Sequence, residues 1–172
     1  MTQSAKPHIN ESFQAGTCRA KRLGVISDTH GLIRLEALEL LAGCELIVHA
    51  GDVGKPEVLA KLQTIAPVIA VRGNNDKGEW AKNLPETEVV EFAGLYLYVL
   101  HDLHELDLDP AAAGFRVVIS GHSHRPDIRH RDEVLYLNPG SAGPRRFKLP
   151  VSLALLEVVD GERTARIELI DV

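Results

Sequence analysis

The chain has 172 residues, 45% of them apolar and 25% charged, the balance of an ordinary folded globule long enough for one sizeable core. Its formal net charge of -5 provides no basic footprint for nucleic acid. The two cysteines, Cys18 and Cys44, stand in no CxxC spacing, which points neither to a thiolate metal site nor to a disulfide framework.

No apolar run reaches the roughly 18 residues of a membrane helix. Residues 1–22 are mostly polar and small, without the apolar stretch of a signal peptide. These features predict a cytoplasmic protein with a flexible polar leader over residues 1–22 and one domain over residues 23–172. Leu23 to Ser27 reads as a short buried strand that ends at Asp28. Leu32, Leu35, Leu38 and Leu41 then form a helical stripe, with Gly43 as its stop. Glu45 to Val48 is a second strand, ending in His49-Ala50-Gly51-Asp52. Pro56 suits the first turn of a short helix running to Gln63. Val68 to Val71 is a third strand, ending in Arg72-Gly73-Asn74-Asn75-Asp76. Strand alternating with helix in this way predicts a parallel sheet. Ligand groups of such sheets gather beyond the carboxyl ends of the strands, where all three polar runs stand.

The second half reads differently. Glu88 to Phe92 and Leu95 to Leu100 flank Ala93-Gly94, and Val151 to Val159 and Arg163 to Ile170 flank Asp160-Gly161, two hairpin signals. Val117 to Ile119 is a short strand before Gly121, and Val134 to Leu137 another before Asn138-Pro139-Gly140-Ser141. The two halves are expected to be sheets of one domain packed together.

Seven side chains at the strand exits could carry chemistry: Asp28, His30, Asp52, Asn74, His101, His122 and His124. All are oxygen or imidazole donors. Their number suits two metal ions sharing one carboxylate, a pair that lies roughly 3.5–4 Å apart and catalyses displacement at phosphorus. Asp28 and His30 are two apart, as are His122 and His124, so an extended backbone would throw each pair to one side. Each fragment also has a plain use. Asp28 or Thr29 could cap the following helix, and Gly51-Asp52 and Gly73-Asn74-Asn75 could be turns. Concurrence favours the metal site, since every donor run follows an apolar segment in an order that one open sheet could bring together. Arg145, Arg146 and Lys148 read as a solvated loop. Trp80 and the three tyrosines form no ladder that would stack bases.

The ordered set of Ser27-Asp28-Thr29-His30-Gly31, His49-Ala50-Gly51-Asp52, Gly73-Asn74-Asn75-Asp76, Leu100-His101, Gly121-His122-Ser123-His124 and Asn138-Pro139-Gly140-Ser141 resembles the calcineurin-like metallophosphoesterases. The resemblance is to their small YfcE/Vps29-like phosphodiesterase branch, and it runs from Leu23 to the C-terminus. It implies a single-domain α/β fold, a four-layer α/β/β/α sandwich. Asp28, His30 and His124 would hold one ion, Asn74, His101 and His122 the other, and Asp52 would bridge. A hydroxide between the ions would attack phosphorus in line. Manganese is the expected metal, with iron, nickel or zinc as alternatives. Asn75 and Asp76 are the catalytic candidates beside the ligands. Asn75 stands where many members carry His; it can donate to phosphate but cannot protonate an alkoxide. Asp102 stands where the branch carries Gly, and is expected to narrow access or repel polyanions. The implied substrate is a small phosphoester. The rival readings are a Vps29-like interaction scaffold with a vestigial metal site, and a phosphomonoesterase or nucleotide pyrophosphohydrolase on the same fold.

Overall fold

The computed structural model describes residues 19–172. The leader expected over residues 1–22 lies outside the described residues up to Cys18, while Lys21 and Arg22 open the first strand. The first half runs β1 (Lys21–Ile26), α1 (Leu35–Leu41), β2 (Leu46–His49), α2 (Pro56–Leu62) and β3 (Val68–Ala70). The second half runs β4 (Thr87–Phe92), β5 (Leu95–Leu100), β6 (Val117–Ile119), β7 (Pro126–Arg131), β8 (Val134–Pro139), β9 (Ser152–Val159) and β10 (Glu162–Leu169).

Two five-stranded sheets result, ordered β10-β9-β1-β2-β3 and β4-β5-β6-β8-β7. In the first, β1, β2 and β3 are parallel, with Gly24 opposite Ile47 and Ile47 opposite Val68. The β9–β10 hairpin closes its other side antiparallel to β1. In the second, β5, β6 and β8 are parallel and the edge strands β4 and β7 run against them. Alternation along each strand sets the layers. Leu23, Val25, Leu97, Val99, Ile119, Leu135 and Leu137 face the inter-sheet core. Ile26, Ile47, Leu153 and Leu155 face outward and are covered by Ala37 and Leu41 of α1 and Val58 and Leu62 of α2. On the far side, Tyr98, Leu100, Val118 and Val134 are covered by Leu103, Leu106, Leu108 and Phe115. The fourth layer of the sandwich is therefore an irregular segment with one 3-10 turn, Leu103–Glu105, rather than a long helix.

One local expectation is corrected, and one strand stands where none was expected. The first helix begins at Leu35 with Arg34 at its N-cap, so Leu32 lies outside it and neither Asp28 nor Thr29 caps it. The cause is tertiary: His30 N and Gly31 N donate to Asp52 O and Val53 O, which keeps this stretch laddered to the exit of β2. The chain turns only afterwards, where Leu32 N donates to Thr29 O. The other difference is β7, for which the sequence pattern offers no signal. It is an edge strand whose Arg129, His130 and Arg131 are all exposed, so it lacks the apolar alternation that marks a half-buried strand.

Candidate metal centre

The polar runs leave β1, β2, β3, β5 and β6 at one edge of the sandwich, and hydrogen bonds past the strand ends hold them side by side. Asp28 N donates to Gly51 O at 3.0 Å, Val71 N to His49 O at 3.1 Å and Gly121 N to His101 O at 2.9 Å. Asp28, His30, Asp52, His122 and His124 all have positive φ, between 47 and 66°. This corrects the extended backbone expected for Asp28-Thr29-His30 and His122-Ser123-His124. Each donor is brought round by a left-handed residue, a conformation that costs about 1 kcal/mol or more and concentrates at functional sites.

All seven expected residues come together. His124 Nε2 lies 3.1 Å from Asp28 Oδ1, and His30 Nε2 lies 3.4 Å from His124 Nε2 and 4.0 Å from Asp28 Oδ1. On the other side, His101 Nε2 and His122 Nδ1 each lie 3.1 Å from Asn74 Oδ1. Asp52 Oδ2 stands between the groups, 3.9 Å from His30 Nε2 and 3.5 Å from His101 Nε2. Asp28, His30 and His124, and likewise Asp28, Asp52 and His101, each offer ligand atoms within 4.8 Å of one another.

A second ring of contacts aims these groups. Asp28 Oδ2 accepts from Ser27 Oγ at 2.7 Å and from His122 N at 3.0 Å. Its other oxygen, Oδ1, is buried without any hydrogen bond, although His124 Nε2 is near. A fully buried carboxylate with an orphaned oxygen, facing imidazole nitrogens and a second buried carboxylate, is a costly arrangement without a cation. The donor set thus fits hard or borderline divalent ions. His101 Nδ1 lies 2.7 Å from Ala50 O. Donation to that carbonyl aims Nε2 at Asp52 and Asn74, leaving it as the nitrogen that would ligate an ion once its proton is lost, the usual way a ligating imidazole is oriented.

The electrostatics agree. Burial pulls the His101 imidazole down, but the Asp52 carboxylate and the Ala50 carbonyl outweigh it and raise its pKa to about 8. Burial pushes the Asp52 carboxyl up, and hydrogen bonds from His101 and Asn75 more than reverse this, holding it well below the usual carboxylate range. Burial lowers the His30 imidazole against the pull of Asp52 and Asp28.

Asn75 and Asp76 both engage the polypeptide. The Asn75 backbone N–H and side-chain amide donate to the two oxygens of Asp52, each at 2.7 Å. Asp76 accepts from Gly54 N at 2.8 Å and Gly73 N at 2.9 Å, tying the β2 and β3 exits together. Asp102 accepts from the His104 backbone N–H at 3.0 Å and lies 2.9 Å from its ring. Its other oxygen is 3.7 Å from His122 Nε2. Asp102 thereby stands in the wall shared by two open cavities of about 550 and 600 Å³ that flank His122.

Sequence reasoning assigned no role to several supporting residues. Ser141 Oγ donates to Asp28 O at 2.9 Å, and Asn138 Nδ2 to Gly121 O at 2.7 Å. Both lie in the Asn138-Pro139-Gly140-Ser141 run, whose turn character was visible although its target was not. Arg146, set aside with the solvated loop, places Nη2 3.3 Å from His30 Nε2. Only its position eight residues after Asn138 could have drawn notice.

Two facing sheets that gather buried carboxylates, imidazoles and an amide at their strand ends define a metallophosphoesterase, a hydrolase of phosphoesters. The chain belongs to the calcineurin-like phosphoesterase superfamily, whose domain model matches residues 22–161. It is 34% identical over 153 residues to a probable metallophosphoesterase of Methanothermobacter thermautotrophicus, covering 82% of this chain and 87% of that protein. It is 31% identical over 161 residues to the phosphodiesterase YfcE of Escherichia coli, covering 79% and 87%. A solved Vps29 from Chaetomium thermophilum, 21% identical, superposes with a TM-score of 0.70 over 87% of this chain and 97% of that one; this likeness is one of fold. Among the described residues no helix is long and apolar enough to cross a membrane.

Proposed function

We propose that the chain is a metal-dependent phosphodiesterase acting on small phosphate esters, with two divalent ions at the strand-exit cluster. The observation that supports it most is the position of Asp52 Oδ2 between His30 and His101, with a complete donor group on either side. Asp28, His30 and His124 form one ligand set, Asn74, His101 and His122 the other, and Asp52 is shared. Manganese is the first choice, with iron, nickel or zinc as alternatives for the same nitrogen and oxygen donors. The ions, when bound, would lower the pKa of water at the site and neutralise charge on the phosphoryl oxygens.

The chain's own residues do the rest. Ser27 and the His122 backbone fix one oxygen of Asp28, leaving the other for coordination. The Ala50 carbonyl fixes the His101 tautomer. Asn75 holds both oxygens of Asp52, so its role is to position that carboxylate, and Asp76 holds the loops that carry Asp52 and Asn74. Neither is placed to protonate a departing alkoxide. Turnover is therefore fastest with leaving groups that depart unprotonated. The compartment proposed is the cytoplasm; among the described residues Cys44 is a buried free thiol, as a reducing setting would leave it.

Metal analysis paired with hydrolysis of an activated phosphodiester and a phosphomonoester, with added manganese, tests this reading. Wild type is expected to hold nearly two ions per chain and to cleave the diester faster. Asp52→Asn should lose metal and more than about 100-fold in kcat/KM, beyond the usual effect of an outer-shell change. Stoichiometric metal without hydrolysis of any ester would favour the interaction-scaffold reading, and preference for the monoester a phosphomonoesterase.

A further inference from the structure

The segment after β8 is locked against the donor loop. Ser141 Oγ donates to Asp28 O, Ala142 N donates to Ser27 O at 3.1 Å, and Arg34 Nη2 donates to Gly143 O at 3.3 Å. Leu149 N closes a turn onto Arg146 O at 3.1 Å. The chain between these ties brings the Arg146 guanidinium to 3.3 Å from His30 Nε2, across 116 residues of sequence. Of the other cations around the cluster, Arg72 pairs with Glu86 at 2.5 Å, Arg34 donates to Gly143 O, and Lys55 lays its aliphatic stem against Gly31. Arg146 has no carboxylate within 4.0 Å among the described residues. It is exposed and always charged. Asn75 has spent its amide on Asp52 and brings no positive charge.

An unpaired guanidinium at the rim of a cluster that takes phosphate esters has an evident use. We propose that Arg146 is the phosphoryl-binding residue of this site, its fork of N–H groups holding non-bridging oxygens of the ester on the His30 side. This rests on the phosphoesterase reading of the cluster. A planar guanidinium offers two parallel donors to a phosphoryl group, which makes such contacts roughly twice as strong as neutral hydrogen bonds. Arg146 thereby selects for a phosphoryl group with at least two free oxygens turned toward this loop.

Inorganic phosphate is the probe, titrated calorimetrically into manganese-loaded protein with the metal content of every variant measured. Arg146→Ala should keep its metal and bind phosphate about tenfold to a hundredfold more weakly. Arg146→Lys should fall between, because it keeps charge without the fork. Arg145→Ala, changed at the exposed neighbour, should stay within about twofold of wild type. With an activated diester, Arg146→Ala should raise KM more than it lowers kcat. Unchanged phosphate affinity in Arg146→Ala overturns the proposal, as does a loss that Arg145→Ala reproduces. Failure of the wild type to hydrolyse any ester strikes instead at the phosphodiesterase reading, since phosphate binding is read without turnover.

Discussion

His49 shows how a buried titratable group can serve the site without touching it. It is fully buried, with Nε2 2.9 Å from Thr29 Oγ1, which in turn donates to Val53 O at 2.9 Å. That chain needs only a neutral imidazole, and burial lowers the His49 pKa to about 4 against the pull of Asp76 and Asp28. The unfolded chain takes up this proton near pH 6.5, so between the two values the unfolded state binds more protons. The contribution to stability is complete above about pH 6.5 and is lost as pH falls toward 4, by up to about 3 kcal/mol. Thermal melts at about pH 7.5 and about pH 5 should therefore show a larger loss for wild type than for His49→Gln; equal losses would sink the assignment. His101 carries the opposite sign. Its pKa, raised to about 8, means that most of it is protonated near neutrality, and metal loading must expel that proton. Affinity for manganese should weaken as pH falls through 8, and calorimetric titration in buffers of different ionisation enthalpy should show proton release on binding.

The strands deliver the donors, but the turns after them aim the side chains, and these turns tolerate little bulk. Gly121 packs so closely on Ser27 Oγ and Asp28 Oδ2 that a Cβ there would collide with both. Gly121→Ala should cost about 1–3 kcal/mol and reduce bound metal, because relief of the clash moves either Asp28 or the loop bearing His122. Melting temperature and metal content check both effects; an unchanged metal content would show that the loop gives way without disturbing the carboxylate. Several elements were legible beforehand. Val117–Ile119 and the hairpins at Ala93-Gly94 and Asp160-Gly161 were marked by buried apolar runs and turn residues, and Pro56 heads α2 as expected. The start of α1 was not legible, because backbone bonds from residues 30 and 31 to the β2 exit compete with helix formation there. Nor was β7, whose pairing with β8 is specified by backbone hydrogen bonds and hardly by burial.

Across the described residues, the sandwich places strained backbone and the buried carboxylates of Asp28 and Asp52 at one edge. Cation binding to the folded state alone would offset both. Chelation should lower the melting temperature of metal-loaded protein, and the loss should grow with the manganese concentration of the reference sample, following RT ln(1 + [L]/Kd). At a concentration about 100 times Kd the difference is about 2.7 kcal/mol. Coincident melts with and without chelator would mean that the cluster holds no ion. Asp102 belongs here too, since it stands between the two cavities through which an ester could approach His122. Asp102→Gly should widen the accepted range of phosphate esters, measured as relative kcat/KM over a panel of increasing negative charge.

By itself, the amino-acid sequence determined which donors exist, their order and the strand exits on which they sit, because apolar periodicity and turn residues act over a few neighbours. The left-handed turns at Asp28 and His30, the commitment of Asn75 to Asp52 and the reach of Arg146 to His30 were decided only by tertiary structure. His30 meets His124 across 94 residues of sequence. No local pattern encodes such a contact, which exists because two sheets pack face to face and bring their strand ends to a common edge.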